Sequence, residues 1–108
     1  MFRKRKIESR LIEMAGKFLT QEYKPGVLVT ITKAELSDDT NDGMLFFTVL
    51  PEKEEAEVLK YLQKKENEKE FRKFLKEKSG LGMLPRLSFK IDSGEKNRQR
   101  IDELISKE

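Results

Sequence analysis

The chain has 108 residues, with 23 Lys and Arg against 20 Asp and Glu, which suits one small domain spanning residues 1–108 with a formal charge of +3. It contains neither Cys nor His, which excludes disulfide frameworks, thiolate zinc sites, cysteine nucleophiles and histidine-based triads. Charged residues reach 40%, yet Leu, Ile, Val and Phe number 30 of 108, enough for a small packed core and more than disordered chains carry.

The first element is a helix. Ile7, Leu11, Met14, Ala15 and Phe18 recur at three- and four-residue spacing, Ile12 and Leu19 widen the stripe, and Pro25-Gly26 comes shortly after, so the helix ends near Tyr23. The basic start over residues 1–6 fits either an arm that meets a polyanion or a frayed, flexible tail. Glu8, Arg10 and Glu13 interrupt the next ten residues, so no apolar export segment is expected. The longest apolar run, residues 44–47, is far short of a membrane span. A soluble, cytoplasmic protein is the expectation.

Over residues 27–36 the period changes to two and β-branched residues dominate, which reads as a strand. Residues 37–43 are all turn formers, and residues 44–50 supply a second strand, giving an antiparallel hairpin. Ala56, Leu59 and Leu62 then mark a helix with Val58 and Tyr61 on its shoulder. No apolar residue occurs between Leu62 and Phe71, after which Phe71, Phe74 and Leu75 resume the pattern, so two helices are expected. Asn67 with Glu70 three residues on has capping-box character, which places the kink at Asn67. Gly80 suits a left-handed cap. Residues 86–92 read as a third strand, and Ile101, Leu104 and Ile105 suit a short terminal helix. The fold class is α+β, in the order α-β-β-α-kink-α-β with a short carboxyl-terminal helix, the helices packed on one face of a three-stranded sheet.

Charge is segregated along this order. Residues 1–10 carry a net +4, residues 60–78 another +4 and residues 86–100 a net +3, against −6 over residues 33–57. A surface polarised in this way suits a polyanion, because phosphate neutralisation by Lys and Arg releases counterions. The plainer reading of residues 64–78 is a solvated Lys/Glu face with i,i+4 pairs. Phe46 and Phe47 point to opposite faces of their strand, one available for base stacking or both covered; Phe71 and Phe74 suit the core. Asp38, Asp39 and Asp42 match no ordered ligand spacing, so turn composition explains them and no metal or cofactor is expected. No paired acid-base constellation stands out, so an enzyme is not expected.

The element order with basic helices resembles a KH domain of the bacterial type, type II. L-P-R-L-S-F-K-I-D-S over residues 84–93 and R-I-D-E-L-I over residues 100–105 closely resemble the carboxyl-terminal signature of the ribosome-binding factor A family. V-T-I-T-K-A-E-L-S-D-D, F-F-T-V-L and F-R-K-F-L match further upstream, so the resemblance runs from about Lys6 to Ile105. Like that family, the chain lacks Gly-x-x-Gly. It departs where the family's small-residue helix break is replaced by Lys65-Glu66-Asn67, and where Arg98-Gln99 stands for the usual Gly-Asn.

The resemblance implies a noncatalytic assembly factor that binds the 30S ribosomal subunit and assists late maturation of 16S rRNA, particularly its 5′ region, as a monomer without cofactor. Basic side chains on the second and third helices and the amino-terminal arm would grip phosphates. The candidate contacts are Arg3, Lys4, Arg5, Arg10, Lys64, Lys65, Lys69, Arg72, Lys73, Lys76 and Arg86. The alternatives are a KH-like RNA-binding module unconnected with ribosomes, and a protein adaptor that docks through the acidic hairpin end or a sheet edge.

Overall fold

The computed structural model of the chain describes residues 2–94. The terminal helix expected around Ile101, Leu104 and Ile105 lies outside them. The first helix, α1, runs Phe2–Glu22, so the basic residues near the amino terminus fall in its opening turns. Leu11, Met14, Ala15, Phe18 and Leu19 form its buried stripe, as their spacing requires. The chain leaves the helix through Gly26, whose φ of 86° is one that L side chains seldom adopt.

Strand β1, Leu28–Leu36, pairs antiparallel with β2, Asp42–Leu50, from Leu28 opposite Leu50 to Leu36 opposite Gly43. The register shifts between Ile31 and Lys33, leaving Thr32 as a bulge. That extra residue moves the inward set from Val29 and Ile31 to Ala34 and Leu36, all four buried. The Thr32 hydroxyl donates to the Asp92 carboxylate (2.5 Å) and the Asp92 amide donates to the Phe47 carbonyl (2.8 Å). The bulge is thereby pinned to the end of the third strand.

The turn between β1 and β2 holds Asp39 by hydrogen bonds from the Asn41 backbone amide (3.0 Å) and the Ser37 hydroxyl (2.7 Å), which keep its carboxyl below the ordinary range. This contribution to folding is present above the ordinary carboxylate pKa and fades as pH falls through the lowered one. Thr40 in the same turn sits at φ 61°, a conformation that is strained for a β-branched residue. Thr40→Asn, which tolerates that region better, should therefore stabilise the fold by about 0.5–1 kcal/mol and raise the melting temperature by roughly 2–6 °C. A thermal melt checks this, and a lowered midpoint contradicts it.

Pro51 closes β2, and a 3-10 turn, Glu52–Glu54, leads into α2, Glu55–Gln63, and then α3, Lys65–Lys78. The interruption falls at Lys64, whose backbone is extended (φ −66°, ψ 132°), and not at Asn67. Leu62 and Phe71 are nine residues apart, two and a half turns at 3.6 residues per turn, so an unbroken helix would aim them in opposite directions. One extended residue resets the phase, and both side chains reach the core. Asn67 lies in the first turn of α3 and makes no cap of the expected kind. Its side-chain amide instead donates to the Tyr61 carbonyl near the end of α2 (2.9 Å), tying the two helices together. The buried stripe of α2 is Val58 and Leu62, with Leu59 and Tyr61 half-buried, while Ala56 is exposed. Ala56 thus lies outside the stripe in which its spacing put it.

Gly80, with φ 75°, comes just after α3 as its left-handed cap. The third strand, β3, runs Arg86–Ile91 and pairs parallel to β2, from Asp42 beside Arg86 to Phe47 beside Ile91. The sheet order is β1-β2-β3. α1 packs on β1, α2 on β2 and β3, and α3 on α1, all on one face of the sheet. Phe71 occupies the centre of that layer, its ring 5.3 Å from Phe18 and 5.5 Å from Phe89. Phe47 is fully buried there, and Phe74 lies 5.3 Å from Phe18. Phe46 projects from the opposite face, half-buried, with the Lys33 ammonium 4.4 Å from its ring centre.

Candidate nucleic-acid interface

Five of the expected contacts come together. Lys64 lies at the helix break, and Lys65, Lys69, Lys73 and Lys76 recur on α3 at steps of four, four and three residues, which puts them on one face of the helix. This face is turned from Phe71 and Leu75, the buried residues of α3, and all five lysines are exposed. The face is solvated, but none of them lies within 4 Å of a carboxylate among the described residues, so the expected i,i+4 pairs are not made. Lys65, Lys69 and Lys76 each precede a glutamate, so an acidic row runs about a quarter-turn around the helix from the lysines.

The arginines are placed differently. Arg10 reaches across from α1 to the end of α3, its Nε donating to the Ser79 carbonyl (2.8 Å) and its Nη2 to the Lys78 carbonyl (3.2 Å), while Nη1 meets Glu13 (3.2 Å). A guanidinium there satisfies open carbonyls and complements the negative end of the helix dipole. Arg72 donates to the Pro85 carbonyl (2.9 Å) and so anchors the segment entering β3. Arg86 grips Asp42, its neighbour across β2 and β3, through Nε (2.9 Å) and Nη2 (3.1 Å). All three therefore bond within the protein, Arg10 and Arg72 to part-buried carbonyls and Arg86 in an exposed pair. Arg10→Ala should cost about 1–2 kcal/mol in a urea titration, because charged donors are lost from partly buried carbonyls. RNA affinity should stay within about twofold; a large loss of affinity with unchanged stability would return Arg10 to the binding surface.

At the amino terminus Arg3 and Arg5 are exposed, and half-buried Lys4 lies 3.6 Å from Asp38. Arg3 and Arg10 line a groove of about 900 Å³ between the first half of α1 and residues 79–85, beside the carboxyl-terminal end of α3. Lys6 in the same groove and Lys60, exposed one turn before Lys64, are basic residues that the charge pattern alone did not single out. Position on a helix face is what distinguishes them.

Among the described residues no group of three acidic side chains is placed to hold a metal ion, and no helix is long and apolar enough to cross a membrane.

An α-β-β-α-α-β chain with an interrupted helix pair, all helices on one face of a three-stranded sheet and no Gly-x-x-Gly, defines a KH-like fold. The sequence profile of ribosome-binding factor A matches residues 3–105, nearly the whole chain, and the protein belongs to that family. Ribosome-binding factor A of Pseudothermotoga lettingae is 29% identical over 110 residues, covering 98% of this chain and 91% of its own. The crystal structure of ribosome-binding factor A from Thermus thermophilus superposes with a TM-score of 0.67 at 24% identity, covering 82% of this chain and 93% of that one.

Proposed function

We propose that this protein is a noncatalytic assembly factor of the small ribosomal subunit, a cytoplasmic monomer that binds the 30S particle and assists late maturation of 16S rRNA, including its 5′ region. Family membership supports a ribosome-binding role, and the observation that carries the surface assignment is the row of exposed, unpaired lysines on α3. Ammonium groups without carboxylate partners lose no ion pair when they meet phosphate, and each contact releases counterions. Lys64, Lys65, Lys69, Lys73 and Lys76 form the main contact, with Arg3, Lys4 and Arg5 as a second patch on α1. Arg10, Arg72 and Arg86 hold the frame. Binding acts on the rRNA by differential affinity, favouring the conformer whose phosphates fit the surface.

Sedimentation of the purified protein with separated 30S, 50S and 70S particles at two salt concentrations tests this reading. Comigration with free 30S that weakens as salt rises is expected. Equal association with all three particles, or with none, would contradict it.

A further inference from the structure

We propose that the groove between the first half of α1 and residues 79–85 is a docking site for an acidic, apolar segment of a protein partner. The groove encloses about 900 Å³, the size of a built binding site. Its apolar wall comes from two elements: Ile7 stands on α1, and Leu81, Met83, Leu84 and Pro85 follow the left-handed cap at Gly80. Met83 is 84% exposed, the largest share of any large apolar side chain among the described residues. Covering it takes apolar surface out of water, and a pliable thioether adapts to whatever aliphatic side chain arrives.

Charge decides what else the occupant carries. Arg10 is spent on the Lys78 and Ser79 carbonyls and on Glu13, Glu13 also takes Lys17 (3.6 Å), and Asp39 is held by Ser37 and Asn41. Arg3 and Lys6, three residues apart on one face of α1, have no carboxylate within 4 Å among the described residues. The unmatched charge of the groove is therefore positive. Carboxylates on an occupant complement it without breaking a pair that the protein already makes.

The loop also presents main-chain donors. The Leu81 amide donates to the Ser79 hydroxyl (3.1 Å), whereas the amides of Gly82, Met83 and Leu84 donate to no protein group among the described residues. An extended peptide can pair with such amides while its side chains enter the groove. RNA fits less well. Phosphates would answer Arg3 and Lys6 but bring nothing to cover the aliphatic wall, and no aromatic side chain among the described residues lines the groove for a base to stack on.

The test uses the full chain and three fluorescent peptides of equal length, alternating Asp and Leu, Lys and Leu, or Asp and Ser. Fluorescence anisotropy should show the Asp-Leu peptide bound about tenfold tighter than either control, because only it meets both the charge and the apolar wall. Arg3 also belongs to the second patch proposed on α1, so Lys6 and Met83 carry the test. Both are exposed, and Lys6→Gln and Met83→Gln should each weaken binding about fivefold, with Lys69→Gln on α3 leaving it unchanged. Bound peptide should also slow oxidation of Met83 to its sulfoxide by hydrogen peroxide, read by mass spectrometry. Equal binding of the three peptides, or binding that Met83→Gln leaves intact, overturns the proposal. Protection of Met83 by an RNA hairpin would give the groove to nucleic acid, and concentration-dependent dimerisation that protects Met83 would give it to a second copy; either result also overturns it. The outcome is separate from sedimentation with 30S particles, which tests the assembly-factor reading by itself.

Discussion

Replacing Lys65, Lys69 and Lys73 together by glutamine should weaken binding to 30S particles about 500-fold near 0.1 M salt and make the slope of log K against log salt shallower by about 2.7, three contacts at roughly 0.9 each. The fold should survive intact. All three side chains are exposed and unpaired among the described residues, and glutamine forms helix about as well as lysine. A salt titration of affinity on the wild type and the triple variant reads both numbers. An unchanged slope would mean that these ammonium groups meet no phosphate, and the binding surface would have to be sought on α1 or the open face of the sheet.

Phe71→Ala should cost about 3–5 kcal/mol, a large share of the roughly 5–15 kcal/mol that holds a domain of this size together. Phe71 is 3% exposed and its ring is shared between α1 and β3 through Phe18 and Phe89, so truncation opens a cavity where three elements meet. The urea midpoint should fall steeply, and Phe71→Leu should recover much of the loss. A cost below about 1 kcal/mol would show that α3 is not seated on the core, and with it would go the rigid presentation of the lysines.

Much of the fold was legible because periodicity reports burial directly. The α1 stripe, the alternating strands and the resumption at Phe71 each arise from one face being dry, and the structure keeps them. The break between α2 and α3 was legible as an event but not as a position. The apolar gap after Leu62 shows that phase must be reset, whereas which residue turns extended depends on both stripes reaching one sheet. Asn67 looked like an acceptor cap because the sequence cannot show that its amide reaches the Tyr61 carbonyl, which also accepts from the Lys64 amide. The bulge at Thr32 did leave a trace, the change of parity from Val29 and Ile31 to Ala34 and Leu36, which alternation over the first half of the strand concealed.

The candidate site divides along a similar line. Lysine spacing on α3 is local information, so the exposed row could be read from the chain. Arg10 and Arg72 carry the same chemistry, but their partners are carbonyls on the Ser79 and Pro85 segments, and for Arg10 that carbonyl is 69 residues away. A carbonyl oxygen and a phosphate oxygen ask for the same guanidinium, and only tertiary proximity decides between them.

On the proposed reading, the outward face of α3 is the surface that meets the ribosome. Mass-spectrometric mapping of lysine acetylation, with the protein free and bound to 30S particles, tests it most directly. Binding should protect Lys64, Lys65, Lys69, Lys73 and Lys76 while Lys17, Lys24 and Lys33, which lie on α1, the loop after it and β1, react as they do in the free protein. Protection of Lys17, Lys24 and Lys33 with the α3 lysines still reactive would contradict the account.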